Sequence, residues 1–323
     1  MKKVLVLLLV VCLIFSVGCA PKQAEEIVFV LDWTPNTNHT GLFVALEKGW
    51  FPMEVTVVQP PEDGAEVLVG AGRAQFGVSF QDYMAPALVG DEPLPITAVA
   101  AVIQHNTSGI LSRKGEGMDR PAGMEGKKYA TWDLPVETET LRQVISADGG
   151  DFEKVVRIPS TVTDEVSALQ TESVDAIWVY EAWGGVACDV AGVETDFFAF
   201  ADLDPVFDYY TPVIIANNEF LQNQPETARA FLAALKQGYE FAMEHPEEAA
   251  DILMKHAPEL SANPELVYES QRYLASRYQT EAARWGEMEE SRWAAFFSWL
   301  SENGLVEGDL SPTAGFTNEF LPE

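Results

Sequence analysis

Seven side chains stand where apolar runs of the sequence give way to polar ones, and their types suit one kind of chemistry. Asp32 and Trp33 follow the apolar run 27–31, and Asn38 comes soon after. Tyr83 follows the run 76–80, Thr107 the run 96–103, and Glu181 and Trp183 the run 176–180. Indole and phenol faces stack on flat rings. A carboxylate such as Asp32 or Glu181 accepts paired hydrogen bonds from an amino-substituted ring edge. Asn38 and Tyr83 donate to ring nitrogens or to a carbonyl. The set fits a flat, neutral or cationic heteroaromatic ligand. Each residue also has a plainer role. Asn38 is a candidate helix cap, as is Asp82. Trp178 alternates with Ile177 and Val179 in a strand pattern and reads as core. Glu181 ends an apolar strand among aromatics, where a solvated role is awkward, so it reads as a site acid. His39 and His105 are not spaced as a metal pair. No GxSxG, HExxH or Walker pattern occurs, so neither a catalytic set nor a metal or cofactor is expected.

The elements that position these residues alternate. Strand-like runs at 27–31, 55–58, 76–80, 96–103 and 109–112 are interleaved with helical patterns, which predicts an α/β fold with a largely parallel sheet. In such sheets ligands lie beyond the carboxyl ends of the strands, where the seven residues fall. The stretch 113–128, rich in glycine and charge, reads as a crossing into a second α/β unit, and 202–211 as the return. Helical periodicity then dominates, with Pro225, Pro246 and Pro264 near helix starts. The expected organisation is a first lobe of 27–113 plus 213–323, a second of 114–212, a two-stranded hinge and a helical C-terminal segment. Such a hinge permits closure on a ligand.

Twenty Lys and Arg against fifty Asp and Glu give a formal charge of −30, which argues against nucleic-acid binding. Residues 1–18 carry Lys2, Lys3, an apolar run and a small-residue end, the pattern of a secretory signal. Gly18-Cys19 resembles a bacterial lipobox, which implies a lipid on Cys19, a spacer over 19–26 and an exported chain tethered to the outer face of the membrane. With Cys12 in the signal, Cys188 has no disulfide partner and reads as packing.

Four stretches carry a family resemblance: "LDWTPNTNHTGLFVALEKGWF", "QPPEDGAEVLVGAGRAQFGVSFQDYMAPA", "GKKYATWDLPVETETLRQV" and "WGEMEESRWAAFFSWLSENGL". They resemble the pyrimidine-precursor branch of the NMT1/thiamine-biosynthesis-like substrate-binding proteins of ABC importers. The resemblance implies the type II periplasmic-binding-protein fold and capture of formylaminopyrimidine or hydroxymethylpyrimidine by a monomer. It also implies a partner permease with a separate ATPase. By motif position, Trp33, Asn38 and Tyr83 fall in the first-lobe pocket, and Glu181 and Trp183 close from the second lobe. Riboflavin, another flat heterocycle or a sulfonate is the alternative within the fold. An exported enzyme is disfavoured, because the superfamily's pyrimidine-making enzyme uses a cysteine-rich loop that this chain lacks.

Overall fold

The computed structural model describes residues 26–160 and 162–323. The expected signal segment, Cys19 and the spacer through residue 25 lie outside the described residues. Among those described, no helix is long and apolar enough to cross a membrane.

The chain first lays down β1 (Glu26–Val30), α1 (Thr40–Glu47), β2 (Glu54–Val58), α2 (Ala65–Gly70), β3 (Phe76–Ser79), α3 (Gln81–Ala87) and β4 (Ile96–Ala101). It then passes to a second unit of β5 (Ser108–Arg113), β6 (Lys128–Thr131), α4 (Pro135–Ala147), β7 (Val156–Pro159), α5 (Glu165–Gln170), β8 (Ala176–Tyr180), α6 (Val186–Val190), β9 (Thr195–Ala199) and α7 (Phe200–Leu203). It returns through β10 (Val213–Asn217) to a helical run of α8 (Asn218–Asn223), α9 (Pro225–Glu244), α10 (Pro246–His256), α11 (Pro264–Ala275) and α12 (Glu290–Glu302).

Two five-stranded sheets result, in the orders β2-β1-β3-β10-β4 and β7-β6-β8-β5-β9. In the first, β1 runs parallel to β2 and β3, while β10 is antiparallel to β3 and β4. The second mirrors it: β6 is parallel to β7 and β8, and β5 is antiparallel to β8 and β9. The sequence of β10, VIIAN, is buried at every position, as befits a strand enclosed on both sides and both faces.

The first crossing differs from the sequence expectation. The sequence pattern puts residues 108–113 in the first lobe, but Ser108–Arg113 pairs with β8 and β9 and so belongs to the second sheet. The glycines of 113–128 mark turns within that lobe; Gly115, Gly117 and Gly126 all have positive φ. The crossing itself occupies 102–107. It lies beside the return segment, tied by Val102 N–H to Pro212 O (3.0 Å), Asn106 N–H to Asp208 Oδ1 (3.0 Å) and Asn106 Nδ2 to Phe207 O (2.8 Å).

The helical run covers the first sheet. On α9 the buried residues Ala228, Phe231, Leu232, Leu235, Tyr239 and Ala242 follow helical spacing. Phe231 stacks on Phe76 and Phe51 at 4.2 and 4.9 Å between ring centroids. α1 crosses α9 backbone to backbone: a Cβ on Gly238 would lie 1.9 Å from Gly41 O. α12 reaches further. Phe296 stacks on Tyr209 of the return segment at 3.9 Å, and Trp299 donates to Gln143 of α4 at 2.7 Å, linking the C-terminal helix to the second lobe.

Candidate ligand-binding site

The loop after β1 builds the first wall. Asn36 caps a short 3-10 turn at Thr37–His39, its Oδ1 accepting from Asn38 N–H at 2.9 Å. Asn36, rather than Asn38, is therefore the cap, and no hydrogen bond among the described residues engages the Asn38 side chain. The Asn36 N–H donates to His39 Nδ1 at 3.1 Å. That fixes the tautomer, so His39 Nε2 carries a proton and donates to Asp32 at 2.6 Å. Both side chains are nearly inaccessible to solvent, at 1% for His39 and 7% for Asp32. The Asp32 carboxylate is thus held in place from behind, on the floor beside the Trp33 indole.

These residues border a cavity of about 560 Å3 between the two sheets. Asp32, Trp33, Asn38 and Tyr83 line it from the first lobe, Thr107 from the crossing and Trp183 from the second lobe. Six of the seven expected residues are brought together. Trp33 and Tyr83 are about half exposed, at 51% and 49%, which is unusual for large aromatics and marks the cavity mouth. The hydroxyl of Thr107 is buried in the cavity wall without a hydrogen-bond partner among the described residues.

Glu181 is the seventh, and it lies elsewhere. It opens a π-helical turn, Glu181–Gly185, that carries the chain from β8 into α6. Its carboxylate accepts from Tyr273 Oη on α11 and does not line the cavity. The neighbouring Ala182 carbonyl accepts from Ser270 Oγ, also on α11, and Ser270 Oγ is 2.6 Å from Thr37 Oγ1. Wide π-helical winding turns the Glu181 side chain away from the gap toward the first lobe's helix, whereas Trp183 stays on the cavity side.

Several lining residues carried no sequence signal. Trp178, read as core, is buried yet borders the cavity, 6.3 Å from Trp132 between ring centroids. Phe80 lies edge-on to Tyr83 at 5.3 Å and stacked toward Tyr180 at 6.3 Å. Asp82 is not a cap; it sits in the first turn of α3, whose cap position is Phe80. Its Oδ1 is shielded from solvent and has no hydrogen-bond partner among the described residues, and burial pushes its carboxyl up to about 7. Burial likewise pushes the Tyr83 phenol up to about 12, with Asp82 adding to the effect. Glu165 at the start of α5 is half-buried and raised above the usual carboxylate range by desolvation. Glu137 is fully engaged: Tyr129 Oη, Thr131 Oγ1 and the N–H groups of Trp132 and Leu134 all donate to it. It props up the loop that presents Trp132. Among the described residues, no Lys or Arg lines the cavity. The arrangement stacks a flat ring, accepts hydrogen bonds through carboxylates and offers nothing that would neutralise an anion.

Solved structures share this architecture. The nitrate-binding protein NrtA from Synechocystis PCC 6803 superposes with a TM-score of 0.69 at 15% identity, over 92% of this chain and 87% of that one. The alkanesulfonate-binding protein SsuA from Xanthomonas axonopodis gives 0.66 at 14%, over 90% and 98%. These likenesses establish the two-lobed type II periplasmic-binding-protein fold. Among proteins similar in sequence, a formylaminopyrimidine-binding protein of Halalkalibacterium halodurans is 25% identical over 98% of this chain and 99% of its own length. A 4-amino-5-hydroxymethyl-2-methylpyrimidine phosphate synthase of Saccharomyces cerevisiae is 26% identical over 74% of this chain and 73% of its own. Residues 36–249 match the family described as NMT1/THI5 like, and with the fold, the first-wall loop and that match in hand, the chain belongs to this family.

Proposed function

We propose that the protein is the solute-binding receptor of an ABC importer and captures a thiamine pyrimidine precursor, formylaminopyrimidine or hydroxymethylpyrimidine, between its lobes. The observation that carries this reading is the cavity lining, aromatic faces and carboxylates with no cationic side chain. Trp33, Tyr83 and Trp183 take the ring faces, Asp32 and Asp82 its amino edge, and Asn38 and Thr107 the remaining polar atoms. The kinship to a protein named for binding formylaminopyrimidine supports the choice of ring. Each lobe supplies part of the contact set, so ligand favours the closed state by the difference in contacts between states. Uptake would then rest on a separate permease and ATPase, with export and a lipid on Cys19 holding the receptor, as a monomer, near them. Riboflavin is the second reading, because about 560 Å3 falls in the range of roughly 300–1,000 Å3 that holds drug-sized ligands. A sulfonate or nitrate would leave its charge facing carboxylates.

Titration calorimetry with formylaminopyrimidine, hydroxymethylpyrimidine, riboflavin and an alkanesulfonate tests the reading. Saturable binding of either pyrimidine, with no heat from the sulfonate, is the expected result. Silence with both pyrimidines overturns it, and pyrimidine synthesis by the purified chain would move it to the enzymes among its relatives.

A further inference from the structure

The two walls of the cavity are tied together from behind. Thr37 borders the cavity from the first-lobe turn that carries Asn38, and Ala182 borders it from the second-lobe π-helical turn that carries Trp183. Ser270 of α11 reaches both: its Oγ donates to Ala182 O at 2.5 Å and lies 2.6 Å from Thr37 Oγ1. A serine hydroxyl has one proton, and a carbonyl oxygen only accepts. The Ser270 proton therefore goes to Ala182, and Thr37 donates its own proton to Ser270. A directed chain runs from the first wall, through α11, to the second wall. Ser270 and Thr37 are both buried, so each link counts for more than it would in water.

α11 is anchored in the first lobe. Gln271 donates to Ala242 O of α9 at 3.2 Å, and Tyr278, just past the helix, donates to Thr37 O at 2.8 Å. The next turn of α11 repeats the reach of Ser270: Tyr273, three residues on and so on the same face, donates to Glu181. The Arg277 guanidinium covers the Tyr273 ring at 3.5 Å from its centroid, and the Arg277 carbonyl accepts from Gln104 N–H of the crossing at 3.0 Å. From the other side, the Ala182 methyl joins the apolar cluster of the first lobe. Neither Ser270 nor Tyr273 lines the cavity. The lobes are thus joined by contacts that need no ligand atom.

We infer that Ser270 is a positioning residue for closure: it latches the second lobe's π-helical turn to the first lobe's Thr37 turn, so that the walls bearing Trp183 and Asn38 come together as one unit. The inference deepens the receptor reading above and rests on it for its use, but not on which ring is bound. A latch behind the walls favours the closed state by the same amount for every ligand, and it acts in the free chain too.

The test uses the full chain, Ser270→Ala and the double variant Ser270→Ala with Thr37→Val. Stopped-flow binding of formylaminopyrimidine and hydroxymethylpyrimidine should show dissociation from Ser270→Ala about three- to tenfold faster, by one factor for both, with association within about twofold of wild type. Ser270 is the middle link, so the double variant should dissociate no faster than Ser270→Ala. In the free chain, hydrogen exchange of Ser270→Ala should rise about threefold or more in the segments around Asn38 and Trp183 together. A thermal melt showing one cooperative transition confirms that each variant folds. Unchanged dissociation overturns the latch. So does exchange that rises within α11 alone, the mark of a serine that only packs. Silence of the wild-type chain with both pyrimidines removes the ring assignment, and exchange in the free chain then decides the latch by itself.

Discussion

Burial holds the Asp82 carboxyl near pH 7, far above the model-peptide range, and the sign of that shift has a measurable effect. The folded protein keeps a proton that the unfolded chain has already released, so stability falls as pH rises from about 4 to about 7. Asp82→Asn removes the titration. Across that window the urea midpoint of the variant should rise steadily relative to that of wild type, and a constant gap would mean that Asp82 does not titrate there. The same substitution takes an acceptor from the ring edge and should weaken an aminopyrimidine by about 1–3 kcal/mol. Glu181 makes the opposite case. Its partner is Tyr273 on α11, so Glu181→Gln and Tyr273→Phe should each affect closure, and a double-mutant cycle should show coupling of about 0.5–3 kcal/mol. Independent effects of the two substitutions on ligand affinity would break that link. At this scale the sequence was informative about residue type and blind to direction. Asp32, Trp33 and Tyr83 were legible because polar and aromatic residues end apolar strands. The outward turn of Glu181 was not, since no composition announces a π-helical turn.

Among the elements, the crossing of α1 and α9 leaves least room. Gly238→Ala puts a methyl group against the Gly41 carbonyl, and overpacking of that kind costs about 1–3 kcal/mol. A lowered melting temperature with unchanged ligand Kd at low temperature is the expected outcome. A variant as stable as wild type would mean that the helices can separate freely. The alternation of strands and helices was visible along the whole chain, because period-2 and period-3.6 patterns are local. The membership of β5 was not, because strand pairing is decided by partners far along the chain. The glycine-rich stretch after β5 carried the composition of a linker, while the true crossing at 102–107 is tied to the return segment through the Val102 N–H and through Asn106.

For the whole molecule, the two crossings are joined by one polar knot. His105 lies 2.7 Å from Asp208 and 2.9 Å from Glu281, while Arg292 faces both acids, 3.7 Å from Asp208 and 3.2 Å from Glu281. The hydrogen bond His105 donates to Asp208, aided by the one to Glu281, raises the imidazole above its usual value against opposition from burial and Arg292. A raised folded-state value means that the contribution is complete below about 6.5 and fades as pH climbs through the folded pKa. His105→Gln should therefore destabilise the protein in mildly acidic buffer and converge with wild type in alkaline buffer, as read by paired thermal melts. A constant gap across pH would assign His105 a packing role only.

The position of β10 also governs the order in which this protein can be made. Among the described residues, β4 pairs only with β10 apart from a single bridge to Phe316, and β10 also borders β3. A chain leaving the ribosome delivers β4 early and its mate only after the entire second lobe has emerged. Until then a largely apolar ribbon waits without its mate, so a message cut short before residue 213 yields material fit for proteases and chaperones, not half a receptor.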